Sequence, residues 1–503
     1  MMHLFTFAAT IVYFVQAAVP VLASPHGFTT LNSFWKRDVA TTLASKLSAN
    51  ASIVLPSDPD WSTVADRWTQ YLAPSFSMVV EPATEADIVN YAVAANISFL
   101  TVSGTHGFNP SLAFVQNALM INLAASFDYT IIDTASGTAL VGGGTNIGQF
   151  TNATFAAGRQ VTVGTCWCVG VLGAGLGGGH GRLQGEAGLI IDNMIQLRVV
   201  LANGTIVNAS EKENPDLFWG MRGAGQNFGV VVEANITTLP LVPGGTGYDV
   251  EMDFSPDQLE DVLLLANQQI AIQPPELSYY IFFGSDPVTL DLIFHINFVY
   301  VGPQADGRIW SAPWKQLGPI KFVEANFRWD ELLYKSANGL IAAQCGQNGF
   351  KSTYSLNMAH FNVTTIQELV TSYTDFVHTN PSANQSILNL EVYSGHGVRA
   401  VPSNRTAYAN RQFTNIMVAI SPWYTDPSIT NVVNKWCESA RDSLQATAGY
   451  DSLHVYQNYA HNEPIQSYYG YEPWRLEKLM ALKREYDPHG FFSGYAPIPL
   501  ASG

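Results

Sequence analysis

Residues 173–181 have the sequence Gly-Ala-Gly-Leu-Gly-Gly-Gly-His-Gly, and this stretch decides which nucleotide-binding fold the chain can adopt. Its first six residues match the G-x-G-x-x-G pattern of a Rossmann domain, and Asp192 follows at nearly the distance of a ribose contact. A Rossmann fingerprint must open a helix, whereas each glycine weakens a helix by about 1 kcal/mol relative to alanine. We therefore predict a loop, whose backbone N–H groups cradle a dinucleotide without a Rossmann fold.

Helix-start signals predict regular structure on both sides of this stretch. A helix opens at Thr84, with acidic residues in its first turn. A second begins at Ser255-Pro256, with proline at its first helical position, and runs to Ile270. A third follows Glu472-Pro473 and is closed by the sequence Asp-Pro-His-Gly at 487–490.

Alternating hydrophobicity predicts three strands in the middle of the chain. Apolar side chains occupy every second position, and polar side chains such as Glu391 occupy the positions between them. Alternation of this kind is typical of an antiparallel sheet with one packed face and one polar face. The predicted strands are Thr289–Val301, Ser386–Ser394 and Phe413–Trp423.

Composition excludes several classes of function. The 503 residues include 24 Lys and Arg against 40 Asp and Glu, a net charge of −16, so the chain lacks the basic surface that binds nucleic acid. Hydrophobic residues make up 47%, which suits two or three folded domains and not a disordered chain. The sequence therefore describes a large, folded, acidic protein.

The first residues predict a secretory signal peptide. Residues 4–22 are apolar, the first charged residue is Lys36, and small residues precede a cleavage expected after Ala23. A membrane anchor is the alternative, but the stretch barely reaches the ~20 apolar residues of a span and contains Pro20. We therefore expect the mature protein to be secreted and extracellular, without a membrane segment.

Asn-x-Ser/Thr triplets support secretion. The chain contains nine, whereas composition alone predicts about four or five. Glycans at these positions would also solubilise a surface that carries few charges. The asparagines are Asn50, Asn96, Asn152, Asn203, Asn208, Asn235, Asn362, Asn384 and Asn404.

Four cysteines are too few for a disulfide scaffold in a chain of this length. Cys345 and Cys437 could pair, or either could be a buried hydrophobic residue. Cys166 and Cys168 lie two apart among glycines, where a Cys-x-Cys pair cannot easily bridge to itself. Without two further ligands of matching spacing, they predict no zinc site.

Five groups of motifs occur in a fixed order along the chain. They are Thr101-Val-Ser-Gly-Thr-His106-Gly; Gly142-Gly-Gly144 with Val163-Gly-Thr-Cys166-Trp-Cys-Val-Gly170; Leu176-Gly-Gly-Gly-His-Gly181 with Gly188–Asn193; Asp216–Val231; and Tyr456-Gln-Asn458-Tyr459 with Tyr486–Phe492. In this order they resemble the FAD-linked oxidases with the vanillyl-alcohol oxidase or berberine-bridge-enzyme-like fold. The resemblance is close over 78–245 and good over 450–495; between them only the strand pattern is similar.

The resemblance implies an α+β fold. A two-part PCMH-type FAD-binding domain is expected together with a substrate domain, an antiparallel sheet flanked by helices. The implied order is a signal peptide over 1–23, the FAD-binding PCMH-type domain over 24–245, the substrate-binding domain over 246–450, and a C-terminal segment over 451–503 that returns to the FAD domain.

The same resemblance implies how FAD is held. His106 stands where the family bonds an imidazole to the flavin 8α carbon, and Cys166 where some members add a bond from sulfur to flavin C6. A covalent bond keeps the cofactor in place outside the cell and raises its redox potential. The other expected cofactor-binding residues are Ser103, Gly104, Thr105, Gly170, Gly175, Gly178, Gly181, Gly229, Val231 and Asn458.

Oxidation of an alcohol or a phenol needs a base that removes the O–H proton. Tyr459 matches the catalytic tyrosine of many family members, and we expect a nearby cation or hydrogen-bond donors to lower its pKa from about 10. Glu391 and Asp291 are the alternatives, on strand alternation alone. The glutamate base of the alkaloid-forming branch is replaced here by Arg405, which argues against that mechanism.

The expected activity is that of a monomeric, secreted FAD-dependent oxidase. It would oxidise a small molecule, a secondary-metabolite alcohol or phenol, with molecular oxygen and not NAD(P) as acceptor and with peroxide as product. An extracellular carbohydrate oxidase is the alternative, and a flavin-dead binding glycoprotein is less favoured. Aromatic residues expected to stack on the substrate are Tyr279, Tyr280, Trp310, Trp314 and Trp423.

Overall fold

The computed structural model describes residues 40–92, 97–346, 349–413 and 415–500. The predicted signal peptide and the sequon at Asn96 lie outside the described residues. Within these ranges the architecture is α+β, with three main sheets and helices packed on them, which confirms the expected fold class. None of the helices in these ranges is long and apolar enough to cross a membrane.

The first sheet has four strands and carries the first predicted cofactor loop at one strand end. Strand Ala118–Asn122 is parallel to both of its neighbours, and the edge strand Ser52–Val54 is antiparallel to the strand beside it. The helix Glu85–Ala92 begins where it was predicted, and the amide and hydroxyl groups of Thr84 both donate to Asp87 in its first turn. The strands, in spatial order, are Ser52–Val54, Phe76–Glu81, Ala118–Asn122 and Phe99–Val102.

The second sheet is antiparallel. Its hydrophobic core also contains side chains from the middle of the chain, such as Tyr280 and Phe282. Its five strands, in spatial order, are Thr130–Asp133, Thr138–Gly142, Val230–Thr237, Met194–Val200 and Ile206–Ser210. The part of the chain that contains the first two sheets also has the helices Trp61–Val64, Ile147–Ala156, Val171–Leu176, Gln184–Ala187 and Pro215–Ala224. A two-stranded sheet pairs Arg159–Gln160 with Leu239–Pro240.

The third sheet has seven antiparallel strands, as the alternation predicted. In spatial order they are Lys321–Arg328, Thr246–Asp253, Leu292–Tyr300, Leu277–Ser285, Ile387–Tyr393, Ile416–Ser421 and Tyr354–Met358. Long helices cover one face and bury its apolar side chains in one core: Leu259–Ile272, Gln304–Gln316, Val363–Thr379 and Thr430–Gln445. Shorter helices are Trp329–Lys335, Leu340–Ala343 and His396–Ala400, and a small sheet pairs Phe350–Lys351 with Trp423–Tyr424.

The polar face of this sheet is buried, not solvated. Tyr280, Phe282 and Met417 belong to the same core as the helices of the second sheet. His295 and Glu391, which alternation placed on the polar face, are 1% and 4% exposed. The sheet is therefore covered on both faces, and its polar side chains are enclosed between the two domains.

The glycine stretch contains a short helix, so the prediction of a continuous loop is wrong for its first part. Val171–Leu176 is helical, with Gly170 before it and Gly177 after it. Tertiary packing outweighs the low helix propensity of glycine here. Gly175 is needed for close contact, because a Cβ at this position would lie 2.9 Å from Met194 and 3.1 Å from Ile190. The helix ends after six residues, and Gly178 and Gly179 have φ of 139° and 84°, so no Rossmann helix follows.

The chain beyond residue 450 packs on the part of the chain that contains the first two sheets. Helix Pro473–Tyr486 contacts helix Pro215–Ala224. Lys483 anchors its end with a fully buried ion pair of 2.6 Å to Asp487, and the Lys483 ammonium also donates to the Asn227 carbonyl. This segment also contains helix Gln466–Tyr469, and its 3-10 turn Gln457–Tyr459 carries the predicted base.

Candidate active site

A cavity of about 430 Å³ lies between the part of the chain that contains the first two sheets and the polar face of the seven-stranded sheet. Its walls come from the loop after the strand Phe99–Val102, from the glycine-rich segment, from strand Ile387–Tyr393 and from the turn that carries Tyr459. The predicted residues that line it are Ser103, Gly104, Thr105, His106, Cys166, Gly170, Gly229, Val231, Glu391, Asn458 and Tyr459. Sequence motifs from four separate regions therefore meet at one cavity.

Three predicted glycines lie behind this wall and serve packing. Gly175 is buried against Met194 and Ile190. A Cβ at Gly178 would lie 3.0 Å from the ring of Tyr408, and one at Gly181 would lie 1.9 Å from the Val163 carbonyl. Neither position could carry a side chain, and the structure does not bring Gly175, Gly178 or Gly181 to the cavity surface.

Two loops touch directly at the cavity wall. A Cβ at Gly104 would lie 2.5 Å from the Cys168 carbonyl oxygen, and one at Gly170 would lie 2.6 Å from Ser103 Oγ. Thr105 has φ of 58°, a left-handed conformation that a β-branched residue rarely adopts. Local strain at Thr105 therefore presents the following residue, His106, to the cavity.

The His106 imidazole is held in a neutral form. Its ring stacks on Trp68, with centroids 5.0 Å apart and an interplanar angle of 25°. Burial, with the positive charges of Lys351 and Arg67 nearby, lowers the pKa of His106 to about 3. One ring nitrogen therefore keeps a free lone pair at neutral pH.

Tyr459 and Glu391 form a hydrogen-bonded pair in the cavity. The Tyr459 hydroxyl donates to Glu391 Oε1 over 3.1 Å, and Asn389 Nδ2 donates to the same oxygen over 2.9 Å. These residues come from the two domains, so domain packing assembles the pair. Asp291, the other predicted carboxylate, is exposed at the far end of its strand and does not line the cavity.

The charge state of this pair differs from the sequence prediction. Burial raises the pKa of Glu391 to about 7, opposed by hydrogen bonds from Tyr459 and Tyr393 and by the Arg182 cation. The pKa of Tyr459 is raised well above its usual value by burial and by Glu391. The expectation of a lowered tyrosine pKa is therefore wrong, because the hydroxyl faces a carboxyl group and not a cation.

Two buried cations that the motifs did not indicate belong to this region: Lys351 lines the cavity, and Arg182 lies behind its wall. Lys351 lies between two indoles, 4.7 Å from the Trp68 ring and 3.9 Å from the Trp423 ring. The guanidinium carbon of Arg182 lies 4.4 Å from the centre of the Tyr280 ring. The hydroxyl groups of Tyr280 and Tyr393 are 2.5 Å apart. Only the position of Arg182, directly after Gly181, gave any sequence signal.

Of the five aromatic residues expected to stack on substrate, only Trp423 lines the cavity. Tyr279 and Trp314 are fully buried in the core under the long helices, and Trp310 packs against that core. Tyr279 lies on the apolar face of its strand and points away from the site, and Trp310 and Trp314 belong to helix Gln304–Gln316, which covers that face. Tyr280 is buried beneath the cavity wall.

A disulfide joins Cys168 to Cys345, so the suggested pairing of Cys345 with Cys437 is wrong. Cys437 is a buried thiol on helix Thr430–Gln445, on the opposite face of the sheet. Cys166 is also a free thiol, and it lines the cavity. Arg405, the residue at the position of the alternative base, lies outside the cavity and pairs with Glu211 at 3.2 Å.

Comparison with known proteins places this arrangement in a family. A family model described as an FAD binding domain matches residues 76–210. The FAD-linked oxidoreductase tazL of Aspergillus terreus is 31% identical over 495 residues, which cover 97% of this chain and 99% of the relative. The chain belongs to the FAD-linked oxidoreductase family.

Solved structures share its fold. A chitooligosaccharide oxidase is 22% identical with a TM-score of 0.77, covering 92% of this chain and 100% of that chain. Glucooligosaccharide oxidase from Acremonium strictum, described with a 6-S-cysteinyl, 8α-N1-histidyl FAD, is 21% identical with a TM-score of 0.76 at the same coverage. The PCMH-type fold expected from the motifs is therefore confirmed.

The cavity of this FAD-linked oxidoreductase fits its cofactor. Thr101 Oγ1, Ser103 Oγ and Arg67 Nε line the cavity as buried polar atoms with no hydrogen-bond partner within the described residues. Gly173 is exposed to the cavity, and a Cβ there would meet no atom within 4 Å. Unpaired donors and a bare glycine wall are what a polar, planar cofactor requires.

Filling the cavity at Gly173 should therefore block cofactor binding. We expect Gly173→Phe to fold, to bind FAD non-covalently roughly five- to 150-fold more weakly, and so to incorporate less of it, because intruding bulk costs ~1–3 kcal/mol. Gly173→Ala is the matched control, since a methyl group is small and favours the helix. The ratio of flavin to protein absorbance measures both. Equal flavin content in the two variants would place FAD elsewhere.

Proposed function

We propose that this FAD-linked oxidoreductase is a secreted oxidase that removes hydride from an alcohol or phenol of a small secondary metabolite. Molecular oxygen is the electron acceptor, and hydrogen peroxide is the product. The observation that carries the proposal is the Tyr459–Glu391 pair, which shares one cavity with His106. A base and a cofactor tether in one enclosed space are the requirements of this reaction.

His106 holds the flavin covalently, and Cys166 supplies a second bond. Support comes from the neutral imidazole at the cavity wall, from the free thiol beside it, and from the doubly attached FAD named for the Acremonium enzyme. When bound, FAD supplies the acceptor for the substrate hydride and passes electrons to oxygen. The chain's own residues orient the substrate and remove its proton.

Proton removal uses the two side chains in series. The Tyr459 hydroxyl accepts the substrate O–H proton while it gives its own proton to Glu391, along the 3.1 Å hydrogen bond. Tyr459 therefore stays neutral before and after the step, which agrees with its raised pKa. Glu391 is the final acceptor and must be ionised at the start.

The pH dependence should report Glu391. Because its pKa is about 7, the fraction of ionised carboxylate and the rate of flavin reduction should rise as pH increases through 7. Stopped-flow measurement of flavin bleaching, at saturating substrate and between pH 5 and 9, gives this ascending limb of the pH–rate profile. Glu391→Gln should be slow at every pH, and an unchanged ascending limb in that variant would remove Glu391 from the role.

Secretion is supported by the disulfide and by the sequons. Disulfides persist in oxidising compartments, and this one joins residues 177 positions apart. Among the eight sequon asparagines in the described residues, none is buried. Glycosidase treatment of protein secreted from a fungal host should lower its apparent mass, and N-terminal sequencing should begin at Ser24.

An extracellular carbohydrate oxidase is the second candidate. Trp68 and Trp423 present indole rings to the cavity, which suits a sugar as well as an aromatic scaffold, and two of the solved relatives act on oligosaccharides by name. Peroxide release measured with a panel of aromatic alcohols and a panel of oligosaccharides separates the two. Turnover of NAD without peroxide would overturn both.

A further inference from the structure

Three sulfur atoms lie together at the edge of the cavity. Cys166 Sγ is 3.3 Å from Cys345 Sγ and 3.5 Å from Cys168 Sγ, and the latter two form the disulfide. Free thiol and disulfide are therefore in contact. Two of the sulfurs belong to the glycine-rich wall, and Cys345 follows helix Leu340–Ala343 of the substrate domain.

We propose that these cysteines form an internal thiol–disulfide exchange site that decides whether the Cys166 sulfur is free. Cys166 loses its proton and attacks Cys345 Sγ; the Cys166–Cys345 bond forms as the Cys168–Cys345 bond breaks. Cys168 leaves as a thiolate and takes up a proton. One disulfide and one thiol are present before and after, so no external oxidant or reductant is needed.

Attack on Cys345 is favoured over attack on Cys168. The Cys345 sulfur is the nearer one, and a bond to Cys168 would close a strained Cys-x-Cys ring. Cys166 Sγ lies beside the disulfide, so the Cys166 side chain must first rotate to bring its sulfur into line with the Cys345–Cys168 bond. The Lys351 cation stabilises the Cys166 thiolate, whereas burial raises the pKa of that thiol to about 11. Exchange is therefore slow at neutral pH, and each pairing persists once formed.

The consequence for the cofactor rests on the proposed function, whereas the exchange itself does not. A sulfur bonded to Cys345 is unavailable to the flavin, so the second flavin bond and the Cys166–Cys345 disulfide exclude each other. The His106 bond is untouched, because His106 is not part of the cluster. The protein would thus exist in two forms: one with flavin on Cys166 and a Cys168–Cys345 disulfide, and one with a Cys166–Cys345 disulfide and a free Cys168 thiol.

Two variants test this, because both break the native disulfide and yet have opposite effects on Cys166. In Cys168→Ser, Cys166 and Cys345 are free thiols, and the oxidising machinery that forms the wild-type disulfide in the same host should join them, so that flavin is lost from Cys166 completely. Cys345→Ser should leave Cys166 without a partner and keep its flavin bond. Cys437→Ser, a change at a buried thiol in the other core, is the control.

Peptide mapping of the full-length flavoproteins gives the readout. Thiols are alkylated at acidic pH under denaturing conditions, and all variants come from one host in which the wild-type disulfide forms. Trypsin releases residues 160–182 and 336–351, so in Cys168→Ser a mass linking these peptides identifies the new disulfide without ambiguity. Wild type should also contain a fraction with Cys168 alkylated.

Three results would overturn the proposal. The first is Cys166 and Cys345 both alkylated in Cys168→Ser. The second is flavin retained on Cys166 in that variant, which would support the second flavin bond and refute the competition. The third is complete absence of Cys168 alkylation in wild type. If no variant carries flavin on Cys166 but wild type contains alkylated Cys168 together with a Cys166–Cys345 disulfide, the exchange stands and only the second flavin bond fails.

Discussion

Tyr459→Phe should slow flavin reduction by ~10²–10⁴, which corresponds to about 2.7–5.4 kcal/mol of transition-state stabilisation. The variant keeps the ring and removes only the hydroxyl that donates to Glu391 over 3.1 Å. Substrate affinity should change little, because the lost interaction belongs to the transition state. Stopped-flow measurement of flavin bleaching against substrate concentration gives the limiting rate and the affinity separately.

The matched control for this prediction is Tyr468→Phe. Tyr468 lies in the same C-terminal segment, packs beside Tyr469 at 4.8 Å and does not line the cavity. Its variant should reduce flavin at the wild-type rate. A Tyr459→Phe rate within about threefold of wild type would leave proton removal to Glu391 alone.

His106→Ala should reduce the acid-stable attachment that we expect for wild-type flavin, and abolish it in molecules that have no Cys166 bond. The imidazole is neutral, stacked on Trp68 and exposed to the cavity, and alanine offers no nucleophile in its place. After acid precipitation, yellow colour should stay in the wild-type pellet and appear in the variant's supernatant. A second bond through Cys166 would retain part of the colour, so His106→Ala/Cys166→Ser should release all of it.

Cys166→Ser alone is the control for the tether. It should keep the colour in the pellet through His106 while the absorbance of the bound flavin shifts. Wild-type colour that washes out under acid would contradict the tether at both residues. Flavin would then be held by the loop contacts around Ser103 and Gly173 alone.

Most of the residues that the motifs indicated for cofactor binding line the cavity, whereas Gly175, Gly178 and Gly181 do not. The loop at 103–106 and the segment at 166–170 are short, and their glycines are required by direct contacts such as that of Gly104 with the Cys168 carbonyl. Alternation also predicted the antiparallel sheet. It failed on solvation, since it cannot distinguish a face exposed to water from one that covers another domain.

The substrate side was less accessible to prediction. Glu391 and Tyr459 meet only through domain packing, so neither the 3.1 Å bond nor the raised carboxyl pKa has a local signal. Lys351 and Trp68 likewise come together from distant parts of the chain. The disulfide was missed for the same reason, because spacing says nothing about which loops the fold brings together.

The late position of Tyr459 in the chain has a consequence for biosynthesis. His106 is translated about 350 residues before Tyr459, a delay of tens of seconds at ~5–20 residues per second. Throughout that interval the nascent chain contains the residues of its cofactor loop but not the tyrosine with which to turn over a substrate. A ribosome-bound chain is therefore incapable of the proposed peroxide production, and catalysis can start only after the turn at Gln457–Tyr459 has docked.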